Sequence, residues 1–163
     1  MRKFLLLAGL LVSLGAQAGL QVYPGPVAAS PNGTVANTGY VGAYSTNTTS
    51  GTSLTTGVTA NCTSTSLPAG VYDVTGIVTF TPQSTTTVSA LVSGINTVSA
   101  TIGGAGTNQQ SVATFTTGST QVLMAPVVRL SFSSTTTVYL VAQAAFGTST
   151  MTCNGFIRAT VVN

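Results

Sequence analysis

From residue 57 onward, apolar and polar side chains alternate along short runs. In VYDVTGIVTF the even positions Tyr72, Val74, Val78 and Phe80 are apolar, while the odd ones include Asp73, Thr75 and Thr79. A period of two belongs to a strand with one buried face, so Asp73 is expected to point away from the core. The same parity recurs at Val88, Ala90 and Val92, at Val128, Leu130 and Phe132, and at Val138, Leu140, Ala142 and Phe146. Arg129 falls on the outer side between Val128 and Leu130. The last run, MTCNGFIRATVV, leaves two phases open: Ile157, Ala159 and Val161 inward with Phe156 and Arg158 outward, or the reverse.

These runs are rich in Val, Thr, Ile, Tyr and Phe and are separated by Gly, Pro, Ser and Asn clusters, and none holds a 3.6-residue period. They predict strands near 58–66, 71–81, 87–95, 97–102, 111–116, 121–132, 136–146 and 151–162. The expected fold is therefore all-β, an antiparallel β-sandwich or jelly roll of about eight strands over residues 55–163. Residues 19–54 are mostly Gly, Ser, Thr, Asn and Pro with neither period. They predict an irregular arm or linker that orders only against a partner, because such composition buries too little apolar area to offset its ordering entropy.

The first twenty residues, MRKFLLLAGLLVSLGAQAGL, place Arg2 and Lys3 before an apolar stretch at 4–14 and the small-residue site Ala16-Gln17-Ala18. That order predicts a signal peptide at 1–18, cleaved after Ala18, and a secreted or periplasmic product with no membrane span once the leader is gone. Cleavage also changes the charge. Of four basic residues, two leave with the leader, so Arg129 and Arg158 stand against Asp73. A balance of +1 cannot supply the basic stripe that nucleic acid or an anionic bilayer requires.

Chemistry is scarce. The chain has no His and a single acidic residue, Asp73. Proton transfer near neutral pH needs a titratable pair, and a Ser or Thr nucleophile needs a base; the chain supplies neither. One Asp is not the carboxylate pair of a glycosidase, nor enough charged oxygen for a calcium cage. GGAG at 103–106 lacks the spacing and strand-turn-helix frame of a dinucleotide loop. Sequons at Asn32, Asn47 and Asn61 are expected by chance in so Ser/Thr-rich a chain. No catalytic, cofactor or metal residue is assigned. Asp73 is read as half of a structural ion pair, with Arg129 the favoured partner and Arg158 the alternative. The two cysteines, Cys62 and Cys153, suit a disulfide in an oxidising compartment, with free buried thiols as the alternative.

The order of these pieces resembles small phage and prophage jelly-roll proteins of the complement/tumour-necrosis-factor type. The resemblance rests on Leu67, Pro68, Ala69, Gly70, Tyr72, Asp73 and Val74; on Pro126, Arg129, Ser131 and Phe132; on Thr137, Val138, Tyr139, Leu140 and Val141; and on Gly155, Ile157 and Ala159. It covers about residues 52–163, with Tyr72 where the family favours Trp and with a cysteine pair the family lacks. It implies a trimeric, exported or virion-associated module. In such a fold the first and last strands are sheet neighbours, which would make Cys62 and Cys153 cross-strand partners.

The functional expectation is a non-enzymatic structural or surface-attachment module, a homotrimer on a virion surface or outside the cell. A receptor or glycan would be met by loops at one end, 103–110 and 116–121. The alternative is a bacterial pilus-like subunit or secreted adhesin.

Overall fold

A computed structural model of the chain describes residues 41–162. Eight strands follow in order: β1 (Tyr44–Leu54), β2 (Ala60–Leu67), β3 (Gly70–Pro82), β4 (Thr87–Asn96), β5 (Asn108–Val112), β6 (Gln121–Phe132), β7 (Thr136–Gly147) and β8 (Met151–Val161). They form two four-stranded sheets, ordered β1-β8-β3-β6 and β2-β7-β4-β5, and every pairing is antiparallel. This interleaving of early and late strands in both sheets is a jelly roll. The leader and residues 19–40 lie outside the described residues.

The strand count of eight agrees with the sequence, but its membership differs. The expected strand at 97–102 is part of the loop between β4 and β5, held by side-chain amides: Asn61 donates to the Ser99 hydroxyl at 2.7 Å, Asn96 to the Thr101 carbonyl at 2.8 Å. In its place stands β1, inside the segment assigned to the irregular arm. Ten of its eleven residues are polar or small, and only Leu54 is buried. Its backbone ladder comes from β8, from Tyr44 opposite Thr160 to Leu54 opposite Met151, with a register shift between Thr49 and Thr52. Its inward hydroxyls bond the next sheet, Thr49 to Thr63 at 3.0 Å and Ser45 with Thr65 at 3.3 Å. A strand stabilised by partners distant in sequence has no local hydrophobic period to announce it.

The core lies between the sheets. Val74, Val78, Phe80, Val138, Leu140, Ile157 and Ala159 are fully buried there. On β8 the open choice of phase resolves with Met151, Cys153, Ile157 and Ala159 inward and Phe156 and Arg158 outward. Bulges shift the parity elsewhere, because one extra residue turns every later side chain to the other face. Ser89 is the extra residue on β4, so Leu91 and Ile95 join the core cluster and the expected Val92 does not. Pro126 and Val127 together face Thr75 on β6, so Leu123 and Ala125 are inward before the bulge and Val128, Leu130 and Phe132 pack inward after it. Pro has no N–H to contribute to a ladder, and this is where one is not needed. The Thr75 hydroxyl donates to the Ala125 carbonyl beside it at 3.1 Å.

The disulfide joins Cys62 and Cys153 with Cα atoms 5.9 Å apart, both sulfurs fully buried. It is not the cross-strand link within one sheet that was expected. Because β1 takes the place beside β8, β2 falls into the opposite sheet, and the bond pins the two sheets together. Cys62 is itself the bulge residue of β2, which lets both it and Thr63 turn inward. Sheets ordinarily pack about 10 Å apart. The closer approach here is possible because Gly155 has no side chain: a Cβ there would stand 2.9 Å from the Cys62 carbonyl carbon.

Candidate functional site

The chemistry-bearing residues converge on the outer face of the β1-β8-β3-β6 sheet. The position of Asp73 is set by the turn before it. Gly70, at φ +153°, leaves room for the Tyr72 ring, and the Tyr72 hydroxyl donates back to the Pro68 carbonyl at 3.1 Å. With β3 so anchored, Asp73 stands directly opposite Arg129 of β6. Arg129 Nε donates to Asp73 Oδ1 and its second nitrogen to Oδ2, each at 2.8 Å, a two-point pairing. The Asp73 side chain is 30% exposed and that of Arg129 67%. The Arg129 hydrogen bonds hold the Asp73 carboxyl below the usual carboxylate range, with the guanidinium charge assisting and partial burial opposing; the same contact pushes Arg129 up. Arg158, the alternative partner, instead lies over the Tyr44 ring at 4.6 Å, a cation–π contact.

Further along the same face the register builds an apolar band. Ile77 of β3 faces Met124 of β6 on one side and Phe156 of β8 on the other. Val122 stands two residues along β6, and Val127 sits in the bulge. All five are exposed, from 36% for Ile77 to 64% for Val127. Sequence alternation placed Ile77 on outer parity, left Phe156 open between the two phases of the last run, and singled out neither. Val127 falls on outer parity as well, whereas Val122 and Met124 became visible only once the β6 bulge was known.

The expected receptor loops do not share an end of the sandwich. Thr107 accepts from the backbone of Ile95 at the end of β4, whereas Gly118 donates to Thr86 just before β4 begins. β5 runs between the two loops and, at five residues and about 3.3 Å each, holds them roughly 17 Å apart. Near the Gly118 end is a shallow cleft of about 260 Å³ lined by Thr56, Thr87, Ser89, Thr114 and Phe146, with no titratable group in its wall. Among the described residues no three metal-ligating side chains come together, and no helix is long and apolar enough to cross a membrane.

The structure thus defines a disulfide-pinned jelly roll whose one distinctive face combines a neutralised ion pair with an apolar band. No protein-family profile matches the chain, and no curated protein does. Among solved structures it is similar to the infectious bursal disease virus VP2 subviral particle, at 13% identity over 75% of this chain and 34% of that one, with a TM-score of 0.42. The T13 IBDV viral particle is similar at 14% identity over 72% and 31% of the two chains, with a TM-score of 0.43. The infectious bursal disease virus Gx strain gives 14%, 72% and 32%, with a TM-score of 0.41. The chain spans about a third of the length of these proteins. At such distance the fold assignment stands on the strand order alone.

Proposed function

We propose that this chain is a non-enzymatic structural and surface-attachment module, exported or carried on a virion, that assembles as a homotrimer and meets a receptor or glycan through hydroxyl-lined surface. The observation that carries this is the state of Asp73: the one acidic side chain in the protein is already bound at both oxygens by Arg129. Apart from Arg158 over Tyr44, what remains outside among the described residues is hydroxyl, amide and apolar surface, suited to contact rather than to proton transfer. A surface this poor in charge, at 3% of residues, also lacks the repulsion that keeps many proteins apart. A pilus-like subunit would hold open a groove for a donor strand. Against that stands a β1-β8-β3-β6 sheet with its fourth strand in place and with Ile157 and Ala159 of β8 fully buried.

The test is light scattering on the secreted, leader-free protein, together with fractionation against virions and envelope. The expected mass is three subunits or a multiple of three. A monomer at all concentrations overturns the proposal, as does turnover of a substrate that disappears in Asp73→Asn while the fold is kept.

A further inference from the structure

We infer, resting on the self-assembly proposed above, that the outer face of the β1-β8-β3-β6 sheet is where a second copy of this chain docks, face to face, about a twofold axis along the Met124–Ile77–Phe156 row.

Area is the first argument. Five side chains between 36% and 64% exposed present roughly 400 Å² of apolar surface, within the size range of patches that mark interaction sites. Four strands spaced about 4.8 Å apart and about ten residues long make a face of roughly 600 Å². With its rim this approaches the roughly 800 Å² each partner contributes to a standard interface, and its apolar share is close to the roughly 65% of an interface core.

Charge is the second argument, and it selects the orientation. The face carries Asp73, Arg129 and Arg158, all toward one end, while Val122, Met124, Ile77 and Phe156 occupy the middle and the other end. A second copy turned end for end about the Ile77 row lays apolar against apolar, sends the two Asp73–Arg129 pairs to opposite rims and leaves each Arg158 on its own side of the row. Arg129 lies opposite Asp73 and Met124 opposite Ile77, four strand positions apart once the bulge is allowed for, about 13 Å along the strand. The two copies' Arg129 residues are then about 26 Å apart, and the Arg158 residues, two positions from Phe156, about 13 Å apart, both beyond a screening length of about 8 Å. Asp73 and Arg129 neutralise each other within one copy, so neither needs a charge from the partner. A partner chosen by charge would find only a net +1 to recognise, whereas a second copy matches the band by construction.

The edge of β6 offers no rival route. Pro126 and its bulge interrupt that edge, a device that blocks strand addition and leaves the face as the surface to be covered.

The test compares the mature full-length protein with the double variant Val122→Lys/Met124→Lys and the control Val98→Lys/Val112→Lys. The control sites are also exposed apolar residues, at 58% and 73%, but belong to the β4–β5 loop and β5. Sedimentation velocity over a concentration series reads the mass, and circular dichroism checks that each variant keeps its fold. A twofold seam between trimers makes a hexamer, which the face variant is expected to halve to trimers, or whose dissociation constant it should raise at least about tenfold; the control leaves both unchanged. A second probe needs no substitution. Met124 is 57% exposed and Met151 1%, so peroxide oxidation of Met124, read by mass spectrometry, should slow as protein concentration rises while Met151 stays unreactive throughout.

A trimer whose mass the face variant leaves unchanged sinks this inference and spares the trimer. A dimer that falls to monomer supports the face and sinks the trimer. A monomer in which Met124 is nonetheless protected overturns the inference, because the chain's own residues then cover the face. A monomer with freely oxidised Met124 overturns both.

Discussion

Replacing both cysteines, as Cys62→Ala/Cys153→Ala, removes the one covalent link between the two sheets. The bond closes a loop with a sequence separation of 91 residues. In the chain-entropy treatment a loop of that length constrains the unfolded chain by about 4.6 kcal/mol at 25 °C. The native state loses less: two fully buried sulfur atoms, on the order of 1 kcal/mol of packing in all. For a domain of about 120 residues the unfolding entropy is near 0.25 kcal/mol per kelvin, so the two losses together should lower the midpoint by about 20 °C. Thermal melts followed by circular dichroism at neutral pH measure this. Wild-type protein unfolded, reduced and kept under reductant should melt within a few degrees of the double variant, because both lose the same loop constraint. In native buffer without denaturant the bond should resist reductant, since both sulfurs are out of reach. A drop of less than about 5 °C would refute the reasoning: the β1-β8 ladder and the β1–β2 hydroxyl bonds would then hold the ends of the domain without covalent help.

Three further outcomes follow from particular contacts. Gly76→Ala should destabilise by about 1–3 kcal/mol in urea unfolding: its Cβ would stand 2.7 Å from Leu140 Cδ1 and 2.9 Å from the Phe156 carbonyl oxygen. The backbone of a paired strand cannot yield, so the clash outweighs the roughly 0.5–1 kcal/mol that Ala otherwise gains over Gly; an unchanged midpoint would argue that the sheets are freer to part. Ser93→Ala should raise stability by about 1 kcal/mol, because the Ser93 hydroxyl is buried with no hydrogen-bond partner and its desolvation is uncompensated; a clear loss in urea titration would mean the hydroxyl has a partner after all. Asp73→Asn should change the acid limb alone. The folded carboxyl titrates below its unfolded value, so its contribution is full above about pH 4 and is lost as pH falls through the lowered folded value. Melts of wild type and variant should therefore run parallel from pH 5 to 9 and converge below pH 4; convergence near neutral pH would contradict the assignment.

Parity along the chain was enough to place Tyr72, Val74, Val78 and Phe80 inward with Asp73 outward, and Val138, Leu140 and Ala142 inward on β7. It was also enough to put Asp73 and Arg129 on outer faces, and two residues of opposite charge in so uncharged a chain made a short list of partners. These readings share a cause: side-chain direction in a strand is a local property with a period of two, so it survives translation into sequence. The same holds for the shortage of titratable groups, which no fold can change.

What the tertiary structure decided is everything that depends on which strands meet. β1 carries hydroxyls almost throughout and becomes a strand because β8 and β2 flank it. Its presence moved β2 into the other sheet and turned an expected cross-strand disulfide into a pin between sheets. Bulges at Cys62, at Ser89 and opposite Thr75 reversed parity within single runs, and one of them turned Val122 and Met124 outward. β5 set the two expected receptor loops at opposite ends. Sequence by itself determined the strand-forming character, the facing of regular runs and the poverty of acid–base chemistry; pairing partners, bulge positions and the apolar face came only from the folded chain, because hydrogen bonds between strands join residues that sequence keeps far apart.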